Sequence, residues 1–230
     1  MPTFNFLKTS KINPSYRNRS IQGMFDIPIT DLSEISFKGD IPIDNLKWNI
    51  GLIVGSSGSG KSQISNNIFS KDFNNSENIF WDNDKSLVDN FPDEFSINEI
   101  ISSLTSVGLN ESKVWIKPHG ALSTGQKFRA DLARIVCCNK KIVFDEFTSV
   151  VDRTVAKAAS NSLQKYIRRE DKQFIAVTCH FDVLEWLQPD WVYNTDTKIF
   201  EEKKNSNLKK KSTFTPLTED IGLCLKTITI

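Results

Sequence analysis

Much that would narrow the reading of this chain is missing from it. No apolar run approaches the roughly 18 residues that a membrane-spanning helix needs. The apolar stretches NIGLIVG (49–55) and KIVFDEF (141–147) have the length of buried strands. The opening stretch, MPTFNFLKTSKINPSYRNR, lacks the continuous apolar centre of a secretion signal, so a cytoplasmic location is expected. Charge of one sign is missing too. The 29 Lys and Arg nearly cancel the 28 Asp and Glu, for a net charge of +1. That excludes a histone-like binder and leaves room only for a local basic patch. The four cysteines, Cys137, Cys138, Cys179 and Cys224, have the spacing of neither a zinc site nor a disulfide framework. They read as reduced thiols, with Cys137 and Cys138 packing late in a helix. No internal repeat is visible.

What is present fits a globular protein with a core. The chain has 230 residues, 39% hydrophobic and 25% charged, enough for one large domain or two small ones. Residues 1–20 are polar and basic and read as an N-terminal arm, a loop or a loosely attached segment. Residues 35–44 alternate as an edge strand does, and 48–55 read as a central strand. A helix follows in KSQISNNIFSKDF, then a short strand in ENIFWDND that runs into acidic loop residues. Residues 96–109 read as a helix with a Ser96/Glu99 capping box and a stop at Gly108. Further helices are expected over 123–138 and 153–170, buried strands over 140–147 and 173–180, a helical turn in DVLEWLQ, and a closing hairpin. Alternating strands and helices give an α/β class with a mainly parallel central sheet. Residues 203–230 read as a basic C-terminal tail, a solvated linker or a phosphate-backbone contact.

Two patterns carry chemistry. The stretch GSSGSGKS, Gly55 to Ser62, matches G-x-x-x-x-G-K-[ST] without a mismatch. Gly55, Gly58 and Gly60 let backbone N–H groups close round a phosphate chain, and Ser56, Ser57, Ser59 and Gln63 complete the candidate binding segment. Lys61 is placed to reach the β- and γ-phosphates, and the Ser62 hydroxyl to ligate Mg²⁺. Downstream, the strand KIVF ends in Asp145 and Glu146. The first carboxylate at such a strand end suits a magnesium contact, and the second suits polarising an attacking water. This is a P-loop pattern for a nucleoside triphosphate with Mg²⁺, which by itself leaves kinases, GTPases and motor ATPases open.

The segment ALSTGQKFRADLAR (121–134) poses a separate question. Ser123 and Gln126 make a capping box, but a glycine at 125, in the first helical turn, is costly. LSTGQ resembles the LSGGQ signature of the ABC-type ATPase family. IVFDEF resembles that family's magnesium strand, SVVD (149–152) its dimer-seam loop, and AVTCH places His180 at the position of its switch histidine. The resemblance covers about residues 20–200. It implies an ABC-type ATPase fold over 21–202, with a small helical subdomain over about 82–138. It also implies a head-to-tail homodimer formed on ATP binding, in which Ser123, Thr124, Gly125, Gln126 and Asp152 meet the nucleotide of the other copy.

Three departures from the family pattern stand out. The interval between Lys61 and Ser123 is short, so the helical subdomain looks trimmed. Asp82 stands where the family has a magnesium-sensing Gln, and is a further candidate metal ligand. Phe147 replaces the usual Pro after Asp-Glu. The adenine-stacking aromatic is expected at Phe25, with Tyr16 as the alternative, and His119 reads as loop. The chain is also similar to stand-alone phage and bacterial ATPases of this type. Its expected role is an ATPase acting on nucleic acid or a protein machine. The alternatives are the nucleotide-binding subunit of a membrane transporter and a weakly hydrolysing ATP sensor.

Overall fold

The computed structural model describes residues 3–203 except 29, 31 and 75–78. The basic tail beyond 203 and Cys224 lie outside the described residues.

Three short, apolar strands, β3 (Ile50–Val54), β5 (Lys141–Phe144) and β6 (Gln173–Thr178), form the middle of the main sheet. Nearly every residue in them is buried, as expected of strands covered on both faces. With β4 (Phe73–Asn74), β7 (Trp191–Asn194) and β8 (Ile199–Glu202) they make a six-stranded sheet in the order β4-β5-β6-β3-β7-β8. All neighbours are parallel except the closing β7–β8 hairpin.

Alternate residues along these strands point to two different cores. Leu52, Val54, Ile142, Phe144, Phe174 and Ala176 face the helical layer. That layer holds α3 (Ile97–Ser106), α5 (Thr124–Cys138), α6 (Arg153–Arg169) and α7 (Val183–Leu187), with a single turn, α4 (Ser112–Trp115), between the first two. Ile53, Val143, Ile175, Val177 and Tyr193 face the other way, onto α2 (Lys61–Phe69) and the N-terminal segment. Gly51 sits mid-strand because a Cβ there would lie 2.1 Å from the Trp191 ring.

The first 20 residues are not a loose arm. β1 (Thr3–Lys11) pairs antiparallel with β2 (Leu32–Asp40) along its whole length, and α1 (Tyr16–Met24) connects them. Facing pairs share one face of this ribbon: Phe4 with Gly39, Phe6 with Phe37, Lys8 with Ile35, Ser10 with Ser33. The first two pairs anchor it. Phe4 is buried edge-on against Tyr193 at 6.0 Å, and Phe6 stacks on Phe37 at 5.0 Å. The other two pairs face the loop that follows β3. The edge strand expected over 35–44 is therefore the second strand of a separate ribbon. The strand expected in ENIFWDND is absent at 79–82; its place in the sheet is taken by Phe73–Asn74.

The helix starts follow their local chemistry. Both capping boxes, Ser96/Glu99 and Ser123/Gln126, are formed, and Gly108 (φ +80°) ends α3. Asp152 caps α6 by accepting from the Thr154 and Val155 N–H groups. Of the two adjacent cysteines, Cys137 packs in the core but Cys138 is exposed, so the packing role holds only for the first. No described helix is long and apolar enough to cross a membrane.

Candidate functional site

β3 leaves the sheet at Gly55, and the next five residues turn tightly into α2. Gly58 (φ +81°) and Gly60 (φ +89°) adopt backbone that other residues rarely reach. Gly55 is required for a different reason, since a Cβ there would lie 2.1 Å from Thr195 Oγ1. Gly60 is constrained twice, because a Cβ would also lie 2.1 Å from the Phe37 ring.

A cavity of about 410 Å³ opens over this loop. Its floor is Ser57, Gly58 and the α2 start, Gly60 to Gln63. One wall is the overhanging ribbon, with Lys8, Ser10, Ser33, Ile35 and Phe37. Glu146 and Cys179 close the far side. Lys61 is buried and donates to the Ser56 carbonyl at 2.6 Å.

Asp145 and Glu146 are treated differently by the fold. Asp145 is only 7% exposed. Burial raises its carboxyl above the usual range, against hydrogen bonds from the Ser62 hydroxyl and the Glu146 N–H. Glu146 has a positive φ of 52°, a strained conformation for a non-glycine residue, and its Oε2 accepts from the Ser149 hydroxyl at 2.6 Å. Phe147 holds that turn down: it is fully buried, and its ring meets Phe144, Phe128 and Phe174. Its N–H bonds to the Val177 carbonyl at 2.9 Å.

The Ser62–Asp145 pair is the donor set suited to a hard cation. A neutral hydroxyl and one desolvated carboxylate supply two oxygens and leave the remaining positions to water and phosphate. No group of three His, Cys, Asp or Glu able to hold a metal by itself occurs among the described residues.

Several expected site residues lie elsewhere. Phe25 is 72% exposed in the turn after α1 and does not line the cavity; Tyr16 is more exposed still. The apolar side chains at the cavity are Ile35 and Phe37. Asp82 is also outside it. Its carboxylate accepts from the Asp84 N–H at 3.0 Å and lies 3.7 Å from Lys85 Nζ. His180 follows Cys179 with its N–H held by the Thr178 hydroxyl at 3.1 Å, and does not line the cavity. Ser123, Thr124, Gly125, Gln126 and Asp152 likewise take no part in it.

Sequence reading missed the ribbon wall, although Phe4, Phe6, Lys8 and Ser10 alternate as one face of a strand does. It also missed the segment before α5. Trp81 donates its indole N–H to Asp131 at 2.8 Å, and His119 stacks on Trp81 with Nε2 3.0 Å from the same carboxylate oxygen. The Arg134 guanidinium covers the Trp81 ring at 4.7 Å and donates to the Phe80 carbonyl. His119 is therefore part of a packed seam between the 79–83 segment and α5.

No protein-family model and no curated protein sequence matches the chain. Solved structures do. The ATP-binding cassette MJ0796 with ADP and Pi bound, in a dimeric post-hydrolysis state, aligns with a TM-score of 0.61 at 16% identity, over 88% of this chain and 98% of that one. A second dimeric structure of MJ0796, described as a bacterial ABC transporter cassette, aligns with a TM-score of 0.60 at 17% identity, with the same coverage. An ATP-bound bacterial exporter of the Atm1 family aligns with a TM-score of 0.51 at 15% identity, over 66% of this chain and 33% of that one. The mainly parallel sheet, the phosphate loop on its central strand and these likenesses give the chain the α/β P-loop fold of an ABC-type ATPase cassette.

Proposed function

We propose that the protein binds and hydrolyses ATP at two composite sites of a head-to-tail homodimer. The observation that carries this is Gly125. A Cβ there meets nothing closer than Val155 Cγ1 at 3.9 Å, and the backbone is helical. Nothing among the described residues requires a glycine that weakens the helix start. A ligand pressed against that backbone does. The capped N-terminus of α5 is suited to an anion, and it does not line the cavity over the chain's own phosphate loop.

In this reading the triphosphate lies over Gly55–Gln63, with loop N–H groups toward its oxygens. Lys61 exchanges the Ser56 carbonyl for the β- and γ-phosphates. Ser62 and Asp145 hold Mg²⁺, which neutralises phosphate charge when bound. The Ser149 hydroxyl fixes one oxygen of Glu146, leaving the other to take a proton from the attacking water. Water adds to the γ-phosphorus, the bond to the bridging oxygen breaks, and ADP and phosphate leave. His180 and the Ser123–Gln126 start of a second copy stabilise the charge on the γ-phosphate, and Asp152 lies at the seam. The nucleoside rests on the ribbon, against Ile35 and the Lys8, Ser10 and Ser33 side chains.

The test is Glu146→Gln with MgATP, followed by sedimentation. Accumulation of a stable dimer is expected. A variant that stays monomeric while wild type hydrolyses ATP would overturn the composite site.

The cycle is proposed to act on nucleic acid or a protein machine, supported by the short helical segment before α5. A transporter role is the second reading. It is favoured by the likeness to transporter cassettes and by a partly apolar groove lined by Val88, Phe91, Pro92, Phe95 and Ile97. ATPase stimulation by DNA or RNA supports the first, and co-purification with membranes the second.

A further inference from the structure

The phosphate loop is held from behind by a turn that no sequence motif marks. β7 runs parallel to β3 in a register that pairs Val54 with Asn194, so both strands end at one level. The chain then turns through Asn194–Lys198 directly beside Gly55. The turn is itself rigid, because Asn194 Oδ1 accepts from the N–H groups of Asp196 and Thr197.

From this turn two side chains grip the loop. Asp196 accepts the Ser56 N–H at 2.8 Å and the Ser56 hydroxyl at 2.7 Å, one oxygen for each. Thr195 is buried. Its N–H bonds to the Val54 carbonyl at 2.9 Å, and its hydroxyl lies 2.6 Å from the Ser59 hydroxyl. The two Ser56 bonds hold the Asp196 carboxyl below its usual range, as expected for a carboxylate that accepts two donors. The residue gripped by Asp196 is also the one whose carbonyl holds Lys61.

We infer that Asp196 and Thr195 are positioning residues that hold the phosphate loop in its binding shape before nucleotide arrives. The inference rests on the nucleotide reading above. Without the grip, Gly55, Gly58 and Gly60 leave the loop many alternative conformations, and only a fraction of molecules is ready to bind. Apparent affinity falls by that fraction. Catalysis at saturation does not, because bound triphosphate restores the loop. Asp196→Ala is therefore expected to raise the KM for MgATP and the Kd for MgADP about tenfold, with kcat nearly unchanged. Asp196→Asn keeps an acceptor for the Ser56 N–H and a partner for its hydroxyl, and restores most of the affinity. Thr195→Val keeps the shape, loses the hydroxyl contact with Ser59 and shifts KM in the same direction.

The experiment measures KM, kcat and MgADP affinity for wild type and the three variants, with Ser56 amide exchange in the nucleotide-free protein. Asp196 is exposed, so its substitution is not expected to unfold the chain. Weaker binding with kcat preserved, faster Ser56 exchange in Asp196→Ala and recovery in Asp196→Asn support the inference. If wild type binds nucleotide and Asp196→Ala binds it equally tightly, the clamp is refuted and the nucleotide reading stands. If wild type binds no nucleotide, the reading falls and takes the clamp's role in binding with it.

Discussion

Asp131→Ala tests the seam that joins the 79–83 segment to the helix bearing Ser123. Asp131 and Trp81 are each 8% exposed. One Asp131 oxygen accepts the indole N–H at 2.8 Å and faces His119 Nε2 at 3.0 Å. Truncation removes a hydrogen bond to a charged acceptor and leaves a buried indole donor without its partner. Such losses cost about 2–4 kcal/mol. For a chain of this size that is a fall in Tm of about 4–8 °C. Asp131→Asn keeps an acceptor for Trp81 and should cost about 1 kcal/mol. Urea denaturation gives the energies. A double-mutant cycle with Trp81→Phe isolates the pair and should return a coupling of about 1–2 kcal/mol. Because the seam lies outside the cavity, MgADP affinity of the monomer should not change. An Asp131→Ala protein within about 0.5 kcal/mol of wild type would refute the seam as an anchor and leave Trp81, His119 and Arg134 as independent contacts.

Other consequences follow from single residues. Gly125→Ala should leave the monomer as stable as wild type or stabilise it by up to about 1 kcal/mol, while weakening MgATP-dependent dimerisation in sedimentation; a destabilised monomer would mean that the glycine serves the chain itself. Asp145→Asn should raise the Tm of the nucleotide-free protein and abolish the extra stability conferred by MgATP. Burial raises the Asp145 carboxyl, so the folded state binds more protons than the unfolded one above the ordinary aspartate range. Its charge therefore costs stability at neutral pH, and the advantage of the Asn variant should shrink as pH falls through that window. Gly60→Ala should destabilise by about 2–4 kcal/mol from the left-handed backbone and the Phe37 clash together, and adding Phe37→Ala should recover only the second part. Full recovery would show that the backbone there carries no strain.

The motifs were legible because their chemistry is local. A run from Gly55 to Ser62 closes its turn from its own glycines, and Ser123/Gln126 and Ser96/Glu99 cap their helices within four residues. β3, β5 and β6 were legible because strands buried on both faces read as short apolar runs. Phe25 was a plausible base-stacking residue because it lies upstream of the loop, but distance along the chain does not say which strand overhangs it. Lys8, Ile35 and Phe37 do so because β1 pairs with β2 and Phe4 anchors the pair on Tyr193. Asp82 stands in sequence at a metal-sensing position, yet its carboxylate caps its own turn. His119 looked like loop until Trp81 and Asp131, distant in sequence, enclosed it.

The sequence by itself determined the phosphate loop, the carboxylate pair, the capped helix with its unexplained glycine, and the α/β class. These depend on residues within a turn or two of each other, where spacing and side-chain chemistry suffice. Only the tertiary structure decided what surrounds them: the ribbon over the cavity and the turn at Thr195 and Asp196 behind Gly55. Those follow from strand order and register, which bring together residues some 140 positions apart, and no local pattern encodes that distance.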